Sequence, residues 1–121
     1  MSKKLEISMP RGDLRPVAFR VVGVDGGETP EITEIYATFK RSFRHTEYLF
    51  QKRLSTGDIE QIGEGSYQFS ILPQDTDSLP VDSYVFDIEV VGPDLKQTFV
   101  GDFVLTNEAT YAANEEGVDG A

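Results

Sequence analysis

The stretch Leu79-Pro80-Val81-Asp82-Ser83-Tyr84-Val85-Phe86-Asp87-Ile88-Glu89-Val90 decides how this chain folds. From Tyr84 onward, bulky apolar side chains (Tyr84, Phe86, Ile88, Val90) alternate with Val85, Asp87 and Glu89. Successive side chains of a strand point to opposite faces, so this pattern puts one face in a core and leaves the other polar. The approach to the strand is turn chemistry, with Pro80 fixing its own φ and Asp82-Ser83 offering short hydrogen-bonding side chains. A tyrosine that opens a strand just after a crossover, here one containing Asp75 and Asp77, can return its phenol oxygen to the crossover backbone. That corner is one reading of Tyr84; the other is a plain core aromatic whose hydroxyl finds some nearby partner.

Working outward, the same period of two recurs. Leu5, Ile7 and Met9 alternate with Glu6 and Ser8; Val17, Phe19 and Val21 with Ala18 and Arg20; Ile35, Ala37 and Phe39 with Tyr36 and Thr38. Further runs are Tyr67–Phe69–Ile71 and Phe99–Gly101–Phe103–Leu105, with weaker ones at Tyr48–Phe50 and Ile59–Ile62. Turn residues separate them: Asp25-Gly26-Gly27, Ser55-Thr56-Gly57-Asp58, Gly63-Glu64-Gly65 and Gly92-Pro93-Asp94. No window longer than a turn or two carries a helical period. Seven to eight short strands at this spacing predict an all-β, antiparallel β-sandwich, and the corner at Tyr84 favours the immunoglobulin-like kind; an up-and-down barrel is the lesser alternative. The Cys and Trp of antibody domains are missing. The sandwich is expected over residues 1–106, followed at 107–121 by an acidic flexible tail with one helical turn near Ala112.

Composition bounds the function. At 121 residues, 39% hydrophobic and 26% charged, the chain supplies one core and one domain. The absence of Cys removes disulfides, thiolate metal sites and thiol nucleophiles. No apolar run approaches the length of a membrane helix, and the start Met1-Ser2-Lys3-Lys4-Leu5-Glu6 breaks up before a signal-peptide core can form, so a soluble protein is expected. Net charge is −10, divided unevenly: residues 1–53 hold ten cations against seven acids, and residues 54–121 hold Lys96 against fourteen acids. Such a balance disfavours duplex nucleic acid and allows a basic surface of one copy to meet an acidic surface of another.

Little in the sequence points to catalysis. His45 is the one histidine, with no nucleophile elbow, and no Gly-rich phosphate cradle occurs. No cofactor is expected. Asp87 and Glu89 share a strand face and read as solvated acids; Asp75-Thr76-Asp77 opens like a calcium loop but places Leu79 at the next ligand position, so it reads as a side-chain-capped turn. Arg11-Gly12-Asp13 spells an integrin-binding tripeptide, yet Pro10 and Gly12 suffice to explain it as a link between strands. The densest cluster is Lys40, Arg41, Arg44, His45, Lys52 and Arg53 interleaved with Phe43, Tyr48 and Phe50 around a predicted hairpin. Cations with aromatics suit a subunit interface or single-stranded nucleic acid, and they equally describe a hairpin with aromatics inside and cations in solvent. Arg41, Arg44, Tyr48, Lys52 and Arg53 are the candidate protein-contact residues.

The order of segments then matters. Glu34-Ile35-Tyr36-Ala37-Thr38-Phe39-Lys40, Phe50-Gln51-Lys52, Gly65-Ser66-Tyr67-Gln68-Phe69-Ser70-Ile71-Leu72-Pro73-Gln74-Asp75-Thr76, Tyr84–Glu89 and Val100-Gly101-Asp102-Phe103-Val104-Leu105-Thr106 follow one another, preceded by Met9-Pro10-Arg11-Gly12-Asp13. Across most of residues 5–106 this order resembles the immunoglobulin-like N-terminal domain of BppU-type upper baseplate proteins of phage and prophage tails. Asp82-Ser83 departs from that pattern, which expects an acidic or small residue followed by Gly. The resemblance implies a non-enzymatic structural protein of a phage or prophage tail, made in the bacterial cytoplasm and assembled into the virion. Its expected partners are other baseplate proteins and further copies of itself, without nucleic acid or membrane. A carbohydrate- or other ligand-binding sandwich is the alternative, and a single-stranded nucleic-acid binder the second.

Overall fold

The computed structural model describes residues 5–21 and 30–107. The turn expected at Asp25-Gly26-Gly27 and the acidic tail expected after residue 107 lie outside the described residues. Among the described residues eight strands form: β1 (Leu5–Pro10), β2 (Arg15–Arg20), β3 (Glu34–Lys40), β4 (Phe50–Arg53), β5 (Ile59–Gly63), β6 (Ser66–Ile71), β7 (Ser83–Gly92) and β8 (Leu95–Thr106), with a helical turn, α1 (Pro73–Thr76), before β7. They make a five-stranded sheet, β1-β8-β7-β3-β4, packed on a three-stranded sheet, β2-β6-β5.

The expected alternation is the alternation of burial. In β3, Ile35, Ala37 and Phe39 are buried between half-buried neighbours, and β7 does the same with Tyr84, Phe86, Ile88 and Val90. Phe39 sits at the centre of the core, its ring 4.4 Å from Phe50, 5.5 Å from Phe86, 4.9 Å from Phe103 and 6.2 Å from Phe69 of the opposite sheet. Stacked and edge-on contacts of this kind add to the burial of the rings themselves. Pro93-Asp94 closes the β7–β8 hairpin, where Gly92 pairs Leu95, and Glu64-Gly65 closes β5–β6, where Gly63 pairs Ser66.

One pairing departs from the antiparallel expectation: β1 runs parallel to β8, from Leu5↔Gly101 to Pro10↔Thr106. Gly101 makes that approach possible, because a methyl group there would collide with the carbonyl oxygen of Leu5 and lie 2.8 Å from Phe86 Cε1. Phe99, expected in the core beside Gly101, is instead 39% exposed.

Candidate functional site

The pairings place the β1–β2 link, the β3–β4 loop and the β6–β7 crossover at one end of the sandwich, because Pro10, Lys40 and Ser83 all lie beside the last residues of β8 or the first of β7. That end is stitched together. Tyr84 donates its hydroxyl hydrogen to the Pro80 carbonyl at 2.6 Å, which is the corner, one of the two readings the sequence left open for it. Burial pushes the phenol's pKa up; the neighbouring Arg41 opposes that and Asp82 reinforces it, so Tyr84 stays a neutral donor. The Arg41 guanidinium lies over the Tyr84 ring, 5.7 Å from its centre. Arg11-Gly12-Asp13 is packed against the crossover: the Arg11 guanidinium donates to the Leu79 carbonyl at 3.3 Å, and the Gly12 N–H donates to Thr76 Oγ1 at 2.8 Å. Gly12 takes φ 82°, the left-handed turn conformation that glycine adopts without steric cost. The tripeptide is thus a strand link held by its neighbours, as its Pro and Gly suggested.

The Asp75-Thr76-Asp77 segment is the side-chain-capped turn that the sequence favoured. The Asp75 carboxylate accepts from the Leu72 N–H at 2.8 Å, and the buried Thr76 takes the Gly12 bond. The same Asp75 oxygen lies 2.7 Å from Lys52 Nζ.

The five candidate contact residues therefore separate. Arg41, Arg44 and Tyr48 stand together on the exposed β3–β4 loop, Tyr48 at 54% exposure. Lys52 does not join them: it is 8% exposed, points inward from β4, and is paired with Asp75. Inward direction follows from register, since Lys52 is opposite the buried Ala37. Arg53 points the other way, onto the outer face of the larger sheet, its guanidinium 4.8 Å from the centre of the Tyr36 ring and 3.7 Å from Glu34. Burial alone would raise the Glu34 pKa, but hydrogen bonds from Ser55 and Ile35 and the charge of Arg53 outweigh it and hold the carboxyl below its usual value. Beside Lys52 opens a cleft of about 280 Å³ lined by Gly57, Asp58, Glu60, Gln68, Phe69, Ser70 and Leu72.

Three exposed apolar residues of this end were not among the candidate contact residues, although Phe43 was counted with the aromatics of the basic hairpin. Leu14 is 61% exposed, Phe43 47% and Val81 42%, each on one of its three loops. Their signal was available: each is a large apolar side chain in a turn segment outside any alternating run, where no core position accounts for it.

No protein-family model and no curated protein matches the chain. Solved structures do. The titin M3 domain aligns with 87% of this chain and 93% of its own at a TM-score of 0.50 and 17% identity. An endo-β-1,4-mannanase from Thermotoga petrophila aligns with 84% of this chain at a TM-score of 0.50 and 14% identity, and the chain spans 18% of its length. Tim-1 aligns at a TM-score of 0.47 and 13% identity, over 89% of this chain and 97% of its own. This is an immunoglobulin-like β-sandwich. At the centre of the five-stranded sheet, β8-β7-β3 form an antiparallel trio like the three-stranded sheet of such domains, extended by β4 on one side and β1 on the other.

Proposed function

We propose that this chain is a non-enzymatic assembly module of a phage or prophage tail, joining baseplate-type proteins and copies of itself in the virion. The observation that carries the interaction reading is the stitched end of the sandwich, where Leu14, Phe43, Tyr48 and Val81 are exposed beside Arg41 and Arg44. Aromatic and Arg side chains on a rigid base are the residue types that dominate the energetic centres of protein interfaces. The tail assignment is supported by the order of segments in the sequence.

The far end suits the same reading. The β5–β6 and β7–β8 hairpins there present Glu64 and Asp94, so a copy stacked end to tail sets cations against acids. Such head-to-tail contacts build rings or filaments, the forms a tail requires. The test is multi-angle light scattering of Arg41→Glu/Arg44→Glu and of Phe43→Ala/Tyr48→Ala, with Lys52 left intact because its reversal would strand Asp75. The expected result is a fall to monomer mass with unchanged circular dichroism. An unchanged mass removes this end as the contact, and saturable binding to glycans or oligonucleotides at the same loop favours the alternatives.

A further inference from the structure

Each sheet has two edges, and three of the four are blunted among the described residues. Edge β4 is four residues long and turns the charge of Lys52 inward. Edge β5 carries a bulge between Gln61 and Gly63. On edge β1 the Ser8 carbonyl is taken by the Arg15 guanidinium at 3.2 Å, and Pro10 ends the strand. Short strands, bulges, inward charges and Pro are the means by which proteins keep strand edges from pairing.

Edge β2 carries one such device, Pro16 near its start, and none from Val17 to Arg20. It pairs only with β6 among the described residues, in an unbroken register from Arg15↔Ile71 to Arg20↔Ser66. The orientation of its backbone follows from one bond: Val21 N–H donates to the Gly65 carbonyl at 2.7 Å, continuing that register. In an antiparallel ladder the residues bonded to a given neighbour alternate, so Arg15, Val17 and Phe19 face β6 and Pro16, Ala18 and Arg20 face away. Pro16, which lacks an N–H, falls on the free side, where a proline belongs. The free side then offers the N–H groups of Ala18 and Arg20 and the carbonyls of Pro16, Ala18 and Arg20.

The side chains specify what fits. Val17 and Phe19 pack against the core from the inner face yet remain half-buried, which leaves apolar surface for a neighbour to cover. On the outer face Ala18 is small and Arg20 is exposed, with no ion pair to any described residue. We propose that the free edge of β2 takes up an extended segment of another polypeptide as a further strand of the smaller sheet, apolar on the side facing Val17 and Phe19 and acidic on the side facing Arg20. Main-chain bonds supply the attraction and the alternating side chains the choice, as in other strand additions. This site is separate from the β3–β4 loop and stands whether or not that loop is an interface.

The probe is the end-capped peptide Val-Glu-Val-Glu-Val-Glu, titrated into the isotope-labelled full chain and followed by the amide resonances. Saturable shifts at Ala18 and Arg20 are expected, weakened about tenfold by Arg20→Glu and by the peptide with Lys in place of Glu. Ala18→Pro removes a donor that faces away from β6, so it is expected to abolish binding and leave the melting curve unchanged. Should that variant unfold, the peptide N-methylated on alternate residues blocks the same bonds from the other side, and it is expected not to bind. No saturable change at Ala18 and Arg20 up to about 1 mM peptide, undiminished binding of the N-methylated peptide, or shifts confined to residues 41–49 would each overturn the proposal.

Discussion

Asp87 stands on the outer face of the larger sheet, opposite Thr38 and Val100 and two residues from Glu89. Partial burial and the charge of Glu89 push its carboxyl pKa up, and Lys40 only partly opposes them. The folded state therefore holds this proton more tightly than the unfolded chain does. Protonated Asp87 favours the fold below the unfolded value, near 3.9, and that contribution is lost as pH rises through the higher folded value. At neutral pH the ionised group opposes folding. Asp87→Asn is thus expected to raise the urea midpoint at pH 7, with the advantage disappearing toward pH 4; a midpoint that falls at pH 7 contradicts this. Single residues also show where reading a sequence stops. That Asp75 caps a turn was legible from its neighbours. That Lys52 reaches inward to it was not, because a cation on a short edge strand looks the same in sequence whether it faces solvent or a carboxylate across the sandwich.

Among the elements, β7 and β3 were fully legible, since both are central and both alternate without interruption. The weaker runs at 48–50 and 59–62 became β4 and β5, shifted by a residue or more, because edge strands bury less and their pattern is correspondingly faint. The partnership of β1 with β8 was not readable, as it joins the first and last strands in parallel and no local turn announces it. Gly101 is the residue on which that partnership depends. Gly101→Ala places a methyl against the Leu5 carbonyl and Phe86, and is expected to lower stability by roughly 1–3 kcal/mol, the usual cost of overpacking. Amide exchange should locate the damage in residues 5–10; unchanged protection there would mean that β1 does not rest on β8 as closely as the geometry requires.

For the whole molecule, the division of charge along the sequence does not survive as two faces. The larger sheet interleaves β1, β3 and β4 from the basic half with β7 and β8 from the acidic half. What survives is a local contrast between loops: Arg41 and Arg44 on the β3–β4 loop share one end with Asp13 and Asp82, and Glu64 and Asp94 on the hairpins share the other with Arg20 and Lys96. If these ends meet when copies associate, rising salt should slow association more than it speeds dissociation, because exposed charges act mainly on encounter and are screened within about 8 Å at physiological ionic strength. Stopped-flow mixing across a salt series reads this directly, and an association rate indifferent to salt removes charge from the assembly step.

The parallel seam between the first and last strands has a mechanical meaning. Leu5 begins β1 beside Gly101, and Thr106 ends β8 beside Pro10, so tension applied between the start of one strand and the finish of the other slides them lengthwise. All six paired positions then bear the load together, where a hairpin pulled at its open end would yield one rung at a time.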